Sequence, residues 1–143
     1  DPLWSRGLGD VYKRQLLNQI KQTLNLKKIP NRIECYDVSN TQGTNPVASM
    51  VTFINGSPDK AKYRKFKIAT KGPNDYAMMS EAVSRRLKRI NEKGWEEPDL
   101  ILIDGGKGHL NKIAKLNLNG IDIVSIAKPR KNENVPEFIL KVI

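Results

Sequence analysis

The chain has 143 residues, with 25 Lys+Arg against 15 Asp+Glu and a net charge of +10, long enough for one ordinary domain with its own core. With one cysteine (Cys35) and one histidine (His109) it can form no internal disulfide and no usual Cys/His zinc cluster, and no Ser-His-Asp or His-rich site stands out. No apolar run approaches the roughly 18 residues of a spanning helix and no signal peptide is visible, so the expectation is a cytoplasmic protein with no membrane role whose partner is a polyanion, nucleic acid first.

Residues 1–15 lack sustained periodicity, do not begin with Met and read as a foreign leader before a domain over residues 16–143. The leader holds three basic and two acidic residues, so the positive charge belongs to the domain. From Leu16 to Leu26, apolar residues at 16, 17, 20, 24 and 26 have helical spacing. Lys27 to Asn31 ends that helix and leads into a first strand, Arg32–Val38, followed by a polar turn cluster over Ser39–Pro46. Val47–Ile54 is a second strand, and Asn55-Gly56 after it is a strong hairpin signal. Tyr63–Ile68 is a third, with cations at 62, 64, 65 and 67 that put it near a sheet edge. Gly72-Pro73-Asn74-Asp75 opens a helix with Tyr76, Met79, Val83, Leu87 and Ile90 on its apolar face and Gly94 as its stop. Arg85, Arg86, Lys88 and Arg89 form a basic band on its remaining surface. Then come a buried strand at Leu100–Ile103, a Gly105-Gly106-Lys107-Gly108 turn, a helix near Leu110–Leu118 and a strand at Ile121–Ile126. A basic, Pro-broken stretch, Lys128-Pro129-Arg130-Lys131, follows.

Three antiparallel strands, then helix, strand, helix and strand, make an α/β fold in which the crossover helix forces the fourth strand parallel to its neighbour. Set beside the first strand, it yields a mixed sheet flanked by helices, the ribonuclease H-like topology. The carboxyl ends of strands one and four then adjoin, where ligands bind. Each of those strands ends on an aspartate, Asp37 and Asp104. A carboxylate at the end of a buried strand needs a metal, a cation or hydrogen-bond donors. On neighbouring parallel strands about 4.8 Å apart the two can share a divalent cation. Hard oxygen donors with few histidines select Mg²⁺ or Mn²⁺, and such ions hydrolyse phosphodiesters. Either aspartate alone is better read as capping the loop after its strand, and the two together, in this topology and basic context, as a catalytic pair.

Asp75 is a third candidate, as helix N-cap or as the carboxylate completing the metal cage, with Glu81 its rival for that place. Lys107 sits in a turn without P-loop spacing and is either a phosphate ligand alongside backbone N–H groups or simply solvated. His109 is read as a polar residue of a helix's first turn, and Cys35 as a small core residue. Tyr63-Arg64-Lys65-Phe66 interleaves aromatics with cations as strand-tracking surfaces do, a pattern that a solvent-facing strand shares. Candidate DNA contacts are therefore Arg64, Lys65, Arg85, Arg86, Arg89 and Lys107.

Several of these segments together resemble a known family. Ile33-Glu34-Cys35-Tyr36-Asp37-Val38-Ser39, Tyr63-Arg64-Lys65-Phe66-Lys67-Ile68, Asp75-Tyr76-Ala77-Met78-Met79 and Pro98 through Gly108 are similar to the C-terminal endonuclease domain of UvrC, a component of the bacterial nucleotide excision repair excinuclease, over about residues 16–128. The resemblance implies a ribonuclease H-like fold, metal-dependent incision of damaged double-stranded DNA on the 5′ side of a lesion, and work with the excinuclease component UvrB. It implies that Asp37 and Asp104 are catalytic, with Asp75 implicated beside them. The chain has Asn40 where the family usually has His, and His109 where it usually has Gln. The family's catalytic histidine, in a Glu-(Ser/Ala)-His context, lies further downstream, as do its DNA-binding tail and other segments. The expectation is thus an incomplete domain, weakly active or inactive alone. An endonuclease V-type nuclease would share the two strand aspartates but lack the Tyr-Arg-Lys-Phe strand. A noncatalytic nucleic-acid-binding module would need neither aspartate.

Overall fold

A computed structural model describes residues 3–39, 46–70, 75–104, 120–127 and 138–142. The first hairpin is set by its turn. Asn55 and Gly56 both have positive φ (51° and 85°), the type I′ geometry whose twist matches the flanking strands. It joins β2 (Val47–Ile54) to β3 (Ser57–Pro58) in antiparallel register, Ile54 opposite Ser57. Pro58 cannot donate to the ladder, and a short 3₁₀ turn at Lys60–Lys62 follows before β4 (Arg64–Lys67) resumes pairing with β2. Because β1 (Arg32–Ser39) holds the other edge of β2, β3 and β4 are two pieces of one interrupted edge strand. The expected edge strand over Tyr63–Ile68 is therefore present, shortened, with an extra piece before it.

Among the described residues the sheet has seven strands in the order β3-β2-β1-β5-β6-β7, with β4 off this path on β2. β5 (Leu100–Asp104) lies parallel to β1, and β6 (Asp122–Ala127) parallel to β5. β7 (Phe138–Val142) closes the far edge antiparallel to β6, a strand beyond those expected from the sequence although its run is largely apolar.

α1 spans Leu3–Leu24 and runs through much of the segment read as a leader. Its anchor is the expected one: Leu17, with Leu26 just past its end, is buried against Ile33, Leu100 and Val124. Upstream, Val11 and Tyr12 are exposed. Helix elongation from a formed turn adds one hydrogen bond per residue and needs no apolar periodicity. Asn25, at φ 52°, ends it in a Schellman arrangement, with Leu26 N–H donating to Lys21 O at 2.9 Å and Asn25 N–H to Gln22 O at 3.3 Å.

α2 (Asp75–Leu87) packs on the opposite face of the sheet and is shorter than expected, with Met79, Val83, Leu87 and Ile90 of the expected apolar face in or against the core. Met78, Met79, Ala82, Val83 and Arg86 are buried, whereas Tyr76 is 47 % exposed. Arg86 turns inward from α2 to Glu34, which sits on β1 with no exposed surface. A buried carboxylate requires a cation, and Arg86 supplies it: Nη2 lies 2.7 Å from Glu34 Oε2 and Nε 3.0 Å from Oε1. Arg32 Nε donates to Oε2 at 3.0 Å and the Tyr36 hydroxyl to Oε1 at 2.7 Å. The remaining Arg86 donors reach the backbone carbonyls of Trp95 and Glu96. Burial, and then the Glu34 charge, push the Tyr36 phenol well above its ordinary pKa, so it stays a donor. Arg86 is thus not part of a surface band. The expected DNA contact at this position is corrected to a buried ion pair.

Removing one partner of a buried pair costs about 3–5 kcal/mol. Because Arg32 remains beside Glu34, Arg86→Met should fall at the low end, about 3 kcal/mol. Adding Glu34→Gln should cost less than the sum of the single changes. Urea unfolding midpoints at unchanged slope measure both.

Candidate active site

The parallel ladder between β1 and β5 pairs Ile33 with Leu100 and continues to Tyr36 with Ile103. The next residue on each strand is Asp37 and Asp104, which therefore stand side by side at the carboxyl edge, both exposed. The period of two puts them with Ile33, Cys35, Leu100 and Leu102 on the α1 face, while Tyr36, Ile101 and Ile103 pack towards α2. α1 covers only the lower part of its face. Above it lies an open cleft of about 250 Å³ with Cys35, Val51, Leu102 and Ile126 in its lining and Asp37, Ser49 and Asp104 as polar groups. An apolar floor lowers the local dielectric and strengthens any charge interaction made there. The same surroundings act on Cys35: burial, then the Glu34 charge, push its thiol up to about 11.

The other expected carboxylates do not join this pair. β4 runs towards the same edge and α2 begins there, so Asp75 lies at that edge, exposed, at the start of a helix on the other face. It does not line the cleft. Among the described residues no group of three or more His, Cys, Asp and Glu converges as a metal cage. Glu81 is already engaged. Its carboxylate accepts the N–H groups of Ala69 and Thr70, both at 2.9 Å, and the Thr70 hydroxyl at 2.7 Å. Partial burial raises its pKa, but these hydrogen bonds and Arg85 outweigh that and hold it below the usual value. Glu81 fastens the segment after β4 rather than offering a ligand.

Three of the candidate cations lie on the α2 side, against aromatic rings. Arg64 donates to Ala61 O and Tyr63 O and lies 5.1 Å from the Trp95 ring centre. Arg85 donates to Lys67 O and sits 5.8 Å over Phe66. Arg89 is 4.7 Å from the Trp95 ring. Such contacts stabilise by about 0.5–1 kcal/mol each at exposed sites. Lys65, one residue from Arg64, faces the opposite side of the sheet and is exposed. Lys107, His109, Asn40, the glycine turn, the helix expected near 110–118 and the stretch at 128–131 lie outside the described residues.

A mixed sheet with this order and two strand-end carboxylates defines the ribonuclease H-like class. Among solved structures, Endonuclease V of Ciona intestinalis in complex with inosine-containing DNA superposes at TM-score 0.53 and 16% identity, over 92% of this chain and 62% of that one. A variant of the same enzyme superposes at TM-score 0.54 and 15% identity, over 90% and 59%. At such identities the likeness is one of fold. The sequence relationship is nearer: residues 21–141 match the family described as the UvrC RNAse H endonuclease domain. UvrABC system protein C of Cytophaga hutchinsonii is 52% identical over 120 residues, covering 80% of this chain and 20% of that protein. That of Christiangramia forsetii is 47% identical over 134 residues, covering 90% and 22%. The chain belongs to the UvrC ribonuclease H endonuclease domain family. It spans about a fifth of the length of these curated relatives.

Two outcomes follow from the geometry. Since the folded-state pKa of Glu81 is lowered from 4.5, its clamp contributes fully above about pH 4.5 and is lost as pH falls through the lowered value. Glu81→Gln should remove that acid-side loss, read by hydrogen exchange of the Ala69 and Thr70 amides. Cys35, although it lines the cleft, should alkylate slowly at pH 8, with a rate that keeps rising towards about pH 11.

Proposed function

We propose that the chain is the metal-dependent endonuclease domain of a nucleotide excision repair excinuclease, hydrolysing a DNA phosphodiester on the 5′ side of a lesion. The observation that carries this reading is the pairing of Asp37 and Asp104 at the carboxyl edge of parallel strands, in an open cleft of a chain with net charge +10. Family membership supports it. The donor set fits Mg²⁺ or Mn²⁺: two carboxylates on rigid strands, both exposed, leave room for waters and phosphate oxygens to complete the coordination. Asp37 and Asp104 would hold the metal, which when bound supplies an activated water and charge stabilisation for the leaving oxygen. Asp75, at the same edge, is a further proposed contributor once DNA occupies the cleft, and Lys107 a proposed phosphate ligand.

The proposed partners are damaged double-stranded DNA and UvrB, and the proposed compartment is the cytoplasm. No helix among the described residues is long and apolar enough to cross a membrane. An endonuclease V-type activity has the fold likeness in its favour but not the family match. A noncatalytic module leaves the side-by-side carboxylates without a role.

Asp37→Asn or Asp104→Asn should weaken Mn²⁺ binding to the chain at least tenfold. In a chimera carrying this domain in a UvrC relative, loss of several kcal/mol of transition-state stabilisation should slow 5′ incision of a lesion-bearing duplex by about a thousandfold. DNA binding should be kept, because each change also removes repulsion of phosphate. Normal incision by either variant would sink the metal-site assignment.

A further inference from the structure

We propose that one strand of DNA crosses the sheet at right angles to its β-strands, from Asp104 and Asp37 over Ser49 to Lys65, and that Ser49 and Lys65 hold a phosphate beside the scissile one. The inference rests on the endonuclease reading of the Asp37–Asp104 pair and extends it to the substrate's path.

The register carries it. Asp37 stands opposite Ser49 on β2, and Ser49 opposite Lys65 on β4. With Asp104 beside Asp37, the four residues form one cross-strand row on one face. At about 4.8 Å per strand step, Lys65 is about 10 Å from Asp37 and about 14 Å from Asp104. The surface along this row is continuous. A second cleft, of about 280 Å³, is bordered by Ser49, Val51, Tyr63 and Lys65, and it shares Ser49 and Val51 with the cleft that holds the carboxylates.

Lys65 is also an exposed cation of its strand on the cleft face. Arg64, on the other face, is engaged with two carbonyls and Trp95. Among the described residues no carboxylate lies within ion-pair distance of the Lys65 ammonium. Lys67, exposed two residues on, shares its face and stands opposite Val47 in the next row. The charges along the row select the occupant. An acidic peptide would meet repulsion from Asp37 and Asp104, and a neutral one would leave Lys65 unused. A strand with evenly spaced phosphates presents one to the cation that the carboxylates bind and another to Lys65.

Binding of a single-stranded oligonucleotide to the 143-residue chain, followed by fluorescence anisotropy across salt, tests this. Each phosphate contact contributes a log–log slope of about 0.7 for a single strand. Lys65→Gln should lower the slope by about that amount, and Lys65→Arg should keep it. Lys28→Gln, an exposed lysine in the cleft lined by Pro98 and Asp99 at the other end of the sheet, should leave it unchanged. Replacing single phosphates by methylphosphonates should reveal one position whose loss costs the wild type affinity but adds nothing to Lys65→Gln. In the chimera that position should fall within two phosphates of the incised bond. Equal slopes for Lys65→Gln and Lys28→Gln, or a Lys65-dependent phosphate far from the incision, would overturn the path. Failure of the endonuclease reading shows separately, as unchanged Mn²⁺ binding in Asp37→Asn.

Discussion

Glu34 occupies the middle of the principal buried strand with no exposed surface, and a charge there is tolerable only because partners converge on it. Arg86 comes from α2, Arg32 and Tyr36 from β1 itself, and the spare donors of Arg86 end on carbonyls of the segment before β5. This one carboxylate therefore ties together the helix, the central strand and the approach to the second aspartate-bearing strand. Replacing such a pair by apolar residues is often neutral in energy. What the pair supplies here is geometry: one rotation of α2 satisfies it.

The carboxyl edge inherits that geometry. Tyr36 is held by Glu34 on the α2 face, so Asp37, the next residue, is directed to the α1 face beside Asp104. α1 shields the lower half of that face through Leu17, Ile20 and Leu24, and the open upper half is where the carboxylates stand. Rigid strands below, and a cleft that the described residues leave open, suit a site that must hold a cation and admit a phosphodiester.

The basic residues divide between the two faces. On the α2 side, Arg64, Arg85 and Arg89 lie over Trp95 and Phe66 and bind backbone carbonyls or carboxylates, so their charge is partly spent on packing. On the cleft side, Lys65 and Lys67 extend from β4 into solvent. Proximity of cations in sequence thus says little about a shared surface. On a strand, adjacent residues face opposite sides.

Strands β1, β2, β5 and β6, the hairpin at Asn55-Gly56 and the placing of Asp37 and Asp104 at one edge were legible in the sequence because they follow from short-range rules. Alternation, turn chemistry and the need for a crossover helix between parallel strands specify β1, β2 and β5 and bring Asp37 and Asp104 to one edge. The buried role of Arg86 was not legible. On a helix, a charged residue beside an apolar stripe reads as surface, and only the facing Glu34, 52 residues away in the chain, makes it core. The partly spent state of Glu81 was hidden for the same reason, since its partners Ala69 and Thr70 lie on the segment before the helix. A signal for Arg86 did exist: a glutamate in the middle of an apolar strand predicts a buried cation somewhere. Periodicity alone determined which residues share an element's face. Which face meets the core, and so which charges are spent inside and which are left for a substrate, was decided by the docking of α1 and α2 on opposite sides of the sheet, because burial and ion pairing depend on contacts between residues far apart in the chain.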